Sequence, residues 1–436
     1  PQQRAALRTR RSASVFISPL ITRRIYPLNR ETAREPGLDK PDQFGKLLSV
    51  IKMPQSIYLD NSATTPVAPE VLAAMEPHFS ATYGNASSLH AFGRAARKAI
   101  EEARAQIGAT LGVPPEGIVF TSGATEANNL AIKGLALANP DRRHVITSQI
   151  EHHAVLHPCA WLEEQGYEVT YLEVDRFGRV DPAAVRAAIR DDTLLVSVMA
   201  GNNEIGTIEP IEEIGGICRE RGVPFHTDAV QAYGKIELPL EVIDLLSVSA
   251  HKLNGPKGVG FLYVRKGIKL APLLHGGGHE RGLRSGTENT PGIVGLAAAA
   301  RLAFAEMDET AARLRGYRAR LIEEITKIPG TRLNGHPTDS LPHITNFSFA
   351  GIEGESLVMR LDEHGIAVST GSACSSPNLE PSHVLRAIKV PLAMAHGSLR
   401  ISTGRDTKPE DIETLLSVLP KVVEDLRKIS PFKVGE

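Results

Sequence analysis

Cysteine is scarce in this sequence. The three present, Cys159, Cys218 and Cys374, lie far apart without a CxxC pair, so no disulfide framework is expected and no intrinsic metal site is suggested. Net charge is scarce as well: 49 Lys and Arg stand against 50 Asp and Glu. No overall field therefore draws the chain to nucleic acid or to an anionic membrane. Long apolar runs are missing too, since the apolar stretch GIVGLAAAARLAFA is interrupted by Arg301, and no run approaches the roughly 20 residues of a spanning helix. Small molecules and specific proteins are the expected partners, and a reducing compartment is the default.

What remains is an ordinary globular composition, 42% hydrophobic and 23% charged over 436 residues, long enough for two domains. One segment stands apart. The first 34 residues hold eight arginines against a single acid, Glu31, a composition shared with mitochondrial transit peptides. Residues 1–52 are expected to be a disordered leader, or an extension upstream of Met53 that is not part of the mature protein. The expected location is cytoplasmic, with the mitochondrial matrix as the alternative if the leader is a transit peptide.

From Gly117 to Val264 short β-rich runs (GIVFT, HVITS, EVTYLEV, LLVSVMA, PFHTDAV, LLSVSA, VGFLYV) alternate with helical patterns such as EANNLAIKGLALA and PAAVRAAIR. This alternation predicts crossover units, a mostly parallel sheet and helices on both faces, an α/β fold. Ligands of such sheets bind outside the carboxyl ends of the strands. After about Ala311 the pattern changes to a long helix and then mixed strands. We therefore expect a large domain over 69–307 and a smaller α+β domain made of 53–68 and 308–436.

The chemistry-bearing residues fall at predicted strand ends. Lys252, in SVSAHKLNGPKGVG, follows a strand and precedes a glycine-rich turn, where small neighbours leave room for a ring beside its amine and a Schiff-base lysine belongs, although an isolated lysine there more often is a solvated surface residue. Asp228, in PFHTDAVQAYGK, ends another strand; a buried carboxylate there needs a cationic partner such as a pyridinium nitrogen, although it could equally cap the next helix. TSGATEANN reads as strand, glycine turn and helix start, with the Thr125 hydroxyl and free N–H groups offering an anion site, or a plain cap. Ser249 and His251 could add further donors. His152 follows a strand and suits ring stacking and proton movement, although a lone histidine there is more often a structural hydrogen-bonding residue; the residues around it favour chemistry. Cys374, in GSACSS, has nothing larger than serine or alanine within two positions on either side, unlike a packed structural cysteine. Cys159 and Cys218 sit in helical patterns and are read as packing residues.

Taken in order, YLDNSATTP, TSGATEANN, EHHAV, NNEIGTIEPI, HTDAVQAYGK, SAHKLNGPKGVG, HGGGHERGLRSGTENTP, GSACSSPNLEPSHVLRAI and HGSLRISTGR closely resemble the cysteine desulfurases of the class V, pyridoxal-phosphate-dependent aminotransferase superfamily. The resemblance covers nearly everything after the leader. It implies the aspartate aminotransferase-like fold of pyridoxal-phosphate transferases, pyridoxal 5′-phosphate as cofactor and L-cysteine as substrate, with alanine and an enzyme persulfide as products.

It further implies that Lys252 bonds the cofactor, Asp228 pairs with the ring nitrogen and His152 stacks on the ring. Ala124, Thr125, Ser249 and His251 hold the phosphate. Gln231 and Asn203 lie near the ring oxygen and substrate, and Arg400 clamps the substrate carboxylate. Thr287 resembles the residue that reaches the phosphate from the second subunit of a homodimer, and Cys374 resembles the persulfide carrier. The GSACSSPNLEP loop is similar to the longer-loop, housekeeping or nitrogen-fixation type, whose members pass sulfur to iron–sulfur scaffold proteins and tRNA-thiolating enzymes; there the cysteine can transiently ligate a nascent cluster. Within the same fold, selenocysteine lyase or another amino-acid lyase or aminotransferase is the alternative.

Overall fold

The computed structural model describes residues 56–371 and 381–430, so the leader 1–52 and Cys374 lie outside the described residues. Its strands are β1 (Ile57–Tyr58), β2 (Ile118–Thr121), β3 (His144–Ser148), β4 (Glu168–Leu172), β5 (Thr193–Ser197), β6 (Phe225–Asp228), β7 (Leu245–Ser249), β8 (Gly260–Val264), β9 (Thr331–Asn334), β10 (Ile344–Phe349), β11 (Ile366–Ala367) and β12 (Ser398–Ser402).

Among the described residues a seven-stranded sheet runs in the order β2-β8-β7-β6-β5-β3-β4. Its neighbours are parallel except β8, which is antiparallel to both β2 and β7. The β-branched and aliphatic runs bury both faces. Ile118 and Phe120, Ile146, Leu246 and Val248, and Phe261 pack in one core cluster. The residues between them, Val119, Val145, Leu245 and Leu262, pack in another. That alternation follows from the two-residue period of a strand, and a sheet covered on both faces needs apolar residues at both phases. On one face the helices Ala91–Leu111 and Thr290–Ala305 pack against each other.

A second, smaller core gathers Leu59, Leu321, Phe347, Phe349, Leu399, Ile401 and the apolar face of the helix Pro409–Ile429. Around it lie the antiparallel sheet β12-β10-β9 and the parallel pair β1-β11. The earliest described strand thus packs with the last third of the chain. Leu341, Ile344 and the segment from Val384 to Ala395 join the larger core instead.

The consequence for function lies at one edge. Because β3, β5, β6 and β7 are parallel, their carboxyl ends, Ser148, Ser197, Asp228 and Ser249, open on the same side. The strand β2, antiparallel to an antiparallel neighbour, ends there too at Thr121. Every strand-end residue singled out from the sequence lies at or just after one of these five ends. Cys159 and Cys218 are fully buried, and no helix among the described residues is long and apolar enough to cross a membrane.

Candidate functional site

The turn after β2 prepares an anion site. Gly123 takes a positive φ of 151° at the start of the helix Ala124–Asn129, and no side chain caps that start. The first N–H groups of a helix have no partner within it, and they carry the positive end of the helix dipole. Ser249 lines the same turn: a Cβ on Gly123 would meet its Oγ at 3.6 Å. Gly260 matters for this closeness, since a Cβ there would come within 2.8 Å of the Gly123 Cα. Thr125 is exposed at the helix start, while Glu126 bends back to accept from the Ser122 N–H at 2.8 Å and is paired with Arg284 at 2.9 Å.

Asp228 closes β6 at 6% exposure. Its Oδ2 accepts from the Asn128 side-chain amide at 2.7 Å and its Oδ1 from the Val230 N–H at 3.0 Å. Both donors are neutral, so a cationic N–H placed here would find a buried carboxylate already oriented for it. Two further buried oxygens, Asn128 Oδ1 and Ser62 Oγ, have no hydrogen-bond partner among the described residues.

Lys252 ends the short 3-10 turn that follows β7. Its Nζ donates to the carbonyls of Ser62 at 2.6 Å and Ala63 at 2.8 Å. The Ser62 carbonyl also accepts from Gln231 Nε2 at 3.0 Å, and Gln231 Oε1 in turn accepts from His343 Nε2 at 3.1 Å. The orientation of the Gln231 amide is therefore fixed from both ends. His251 faces the Thr64 hydroxyl at 3.2 Å, and burial beside the Lys252 amine pushes its imidazole down to about 4. At neutral pH it acts as an uncharged hydrogen-bonding group.

His152 caps the helix His153–Glu164, its Nδ1 accepting from the Ala154 N–H at 3.0 Å. The neutral ring therefore carries its proton on Nε2, away from the helix. The ring is exposed. Just before it, Glu151 is fully buried, accepts from Ser148 Oγ and the Met199 N–H, and is pushed by burial up to about 8. A protonated Glu151 adds no second negative charge near Asp228.

Arg400 lies in β12 at 3% exposure. Its Nη2 donates to Asp60 Oδ1 at 2.7 Å, and its Nη1 to the carbonyls of Asn203 at 3.0 Å and Gly371 at 3.4 Å. Nearby, Ser382 donates to Glu204 Oε2 at 2.6 Å. The structure thus brings Lys252, Gln231, Asp228, Ser249 and the Ala124 helix start to one edge, and joins Arg400 to Asn203. Thr287 is not joined to them: it is exposed in the loop before Thr290, with no hydrogen bond to this cluster among the described residues.

Several residues of the site escape a sequence reading. Asp60, Ser62, Asn128 and His343 meet partners far away in the chain, and Lys235 is placed beside Lys252 only by the fold. Asn128 alone had a signal, lying one helical turn after Ala124 in TSGATEANN. Lys235 lines, with Lys252 and His343, a cavity of about 70 Å³. Its Nζ is buried without a hydrogen-bond partner among the described residues, and burial beside Lys252 pushes the amine down to about 7. The unfolded amine ionises near about 10.4, so folding must strip its proton below that pH: this penalty is absent above about 10.4 and grows to its full size as pH falls toward 7. Lys235→Met is accordingly expected to raise the melting temperature of the apo protein by roughly 2 °C or more at pH 7. The gain should shrink near pH 10, and an equal gain at both values in thermal unfolding would refute the assignment.

Residues 57–415 match the family Aminotransferase class-V. A protein named cysteine desulfurase IscS from Methanosarcina thermophila is 55% identical over 385 residues, 88% of this chain and 95% of that protein. A second of that name, from Dictyoglomus turgidum, is 53% identical over 385 residues, 87% of this chain and 98% of that one. Among solved structures, a NifS-like protein superposes with a TM-score of 0.80 at 40% identity, over 85% of this chain and all (100%) of the other.

Proposed function

This chain belongs to the aminotransferase class-V family and is a pyridoxal-phosphate-dependent cysteine desulfurase, and from that premise we propose which of its residues do the work. The observation that carries the proposal is the meeting, at one sheet edge, of an amine (Lys252), a buried carboxylate held by neutral donors (Asp228) and a helix start without a side-chain cap (Ala124). Pyridoxal phosphate presents three matching groups: a carbonyl, a protonatable ring nitrogen and a phosphate. When bound, it supplies the electron-withdrawing system that makes the Cα–H bond of an amino acid acidic.

The residues then divide the labour. The N–H groups of Ala124 and Thr125, with Ser249 and His251, hold the phosphate. Asp228 keeps a proton on the ring nitrogen, and His152 offers its exposed ring as the stacking face. Gln231 directs its amide to the ring oxygen. Arg400 binds the substrate carboxylate, a task suited to a planar donor of several N–H groups, with Asn203 beside it. Lys252 would anchor the cofactor through Nζ and, as a free amine, would take the Cα proton of the substrate at that same nitrogen. His152 moves a proton at Nε2.

Cys374 lies outside the described residues, and its role rests on its sequence and on the reaction. Its thiolate attacks the sulfur of the substrate: an S–S bond forms, the substrate Cβ–S bond breaks, and the carbon fragment leaves as alanine after gaining protons. The reactive form is the thiolate. The persulfide then passes to an acceptor, for which we propose an iron–sulfur scaffold protein or a tRNA-thiolating enzyme in the cytoplasm. We further propose a homodimer in which Thr287 completes the partner's phosphate site. Supporting this, Leu72, Phe79, Tyr83, Leu89 and Phe92 are all more than half exposed, and His279, in the loop that leads to Thr287, contacts Ser87 of the same region.

Mass spectrometry after incubation with L-cysteine tests the assignment. One added sulfur atom is expected on the peptide holding Cys374. Cys374→Ala should lose that adduct and sulfide release while keeping the bound-cofactor absorbance; persistence of alanine formation at the original rate would refute the persulfide step.

A further inference from the structure

Arg400 is not waiting alone for a substrate carboxylate. It is already held by one, through the 2.7 Å bond from Nη2 to Asp60 Oδ1, in a place where the arginine side chain is 4% and the aspartate side chain 19% exposed. Nη1 is committed to the carbonyls of Asn203 and Gly371. The Nε–H, also buried, has no partner among the described residues. A buried guanidinium N–H left unpaired is costly unless something completes it, and an incoming carboxylate is the natural acceptor.

The turn that carries Asp60 is bound on two sides. The Tyr58 hydroxyl donates to the carbonyls of Asp60 at 3.1 Å and Thr64 at 2.9 Å, closing the turn on itself. Asn61 Nδ2 donates to the Ser402 carbonyl at 2.9 Å and the Ser62 N–H to Ser402 Oγ at 2.9 Å, tying the turn to β12 two residues from Arg400. The next carbonyls along, Ser62 and Ala63, are the acceptors of Lys252. One turn therefore holds the carboxylate clamp with a side chain and the reactive amine with its backbone.

We propose that Asp60 is a positioning residue for substrate: it aims the Arg400 guanidinium so that the Nε–H edge meets the α-carboxylate while Cα lies within reach of Lys252. The proposal rests on Arg400 being the carboxylate clamp. Asp60 also offsets the guanidinium charge, so the site recognises the carboxylate through directed N–H groups, and a substrate with a second carboxylate meets a repelling neighbour. An amino acid with one carboxylate fits; a dicarboxylate does not.

The test is steady-state kinetics of the holoenzyme with Asp60→Asn, Asp60→Glu and Arg400→Gln, together with the cofactor absorbance change on adding L-alanine, which reads amino-acid binding without sulfur transfer. Asp60→Asn is expected to raise KM for cysteine, and the half-saturating alanine concentration, by about tenfold or more, the scale of one charge-assisted hydrogen bond to the carboxylate; because Cα is then less well placed against Lys252, kcat should also fall, by up to about tenfold. Cofactor content and melting temperature should stay close to those of the parent protein. Asp60→Glu, which keeps the charge, should recover part of the loss, and it serves as the reporter if Asp60→Asn does not fold. An unchanged or lower KM in Asp60→Asn would show that Asp60 merely competes with substrate; a parallel fall of kcat, cofactor content and melting temperature would reveal a structural role. Either overturns the proposal. If Arg400→Gln raises KM and Asp60→Asn does not, only the role of Asp60 fails. If Arg400→Gln has no effect on KM, the clamp itself is misassigned.

Discussion

Lys252→Ala is expected to lower cysteine turnover by on the order of 10³-fold or more, the largest loss of any single substitution in this site. Positioned proton transfer alone contributes about 10²–10⁴-fold, and in the proposed division of labour the same nitrogen also anchors the cofactor. The carbonyls of Ser62 and Ala63 place the amine, at 2.6 and 2.8 Å, on the edge where Asp228 and Gln231 also point. Alanine removes the amine and leaves those carbonyls without it. The variant should still bind pyridoxal phosphate through the Ala124 helix start and Asp228, but without the covalent absorbance of the parent protein. Methylamine added to the solution should restore a measurable part of the activity, because a small free base can enter the space vacated by the side chain. Activity within tenfold of the parent, or an unchanged absorbance, would remove Lys252 from the chemistry.

The sequence made some of this site legible and hid the rest for a physical reason. Strand ends are local events: HVITS, PFHTD and LLSVS each finish a two-residue period with a small or polar residue, so His152, Asp228 and Lys252 could be placed at the sheet edge from neighbours alone. The direction of β8 was not foreseen, although the short connection from Ser249 to Gly260 contains no crossover helix, and parallel neighbours need one. What could not be read were pairings across the chain. Asn128 meets Asp228 over 100 residues, His343 meets Gln231 over 112, and Asp60 meets Arg400 over 340. A carboxylate in YLDNSATTP carries no mark of the arginine it will hold, because that pairing arises only when β1 and β12 pack around the smaller core. The family resemblance supplied roles for residues in motifs, and the structure supplied the residues that hold them.

The same kind of long-range pairing leads to the second large effect, on stability. Arg104, at 3% exposure, and Glu280, at 7%, form a two-pronged ion pair with both N–O distances 2.7 Å. Glu280 Oε2 also accepts from the Phe120 N–H at 2.8 Å, within β2 and just before the turn that leads to Gly123. Glu280 and Arg281 both take positive φ, 48° and 57°, a conformation that residues with a Cβ rarely adopt without strong local support. Glu280→Leu would leave a buried guanidinium facing apolar atoms, with the half-exposed Glu101 as its one remaining acidic partner among the described residues. Removing one member of a buried pair costs about 3–5 kcal/mol, and denaturant unfolding should show a loss of that order. The double variant Arg104→Leu with Glu280→Leu should regain most of it, since two apolar side chains can replace a buried pair at little cost. The pair also anchors the segment that leads to Thr287. If Thr287 completes a partner's phosphate site, Glu280→Leu should weaken pyridoxal phosphate binding beyond its effect on stability, and the double variant should recover stability sooner than cofactor affinity. Recovery of both to the same extent would mean that Glu280 supports the fold and nothing more.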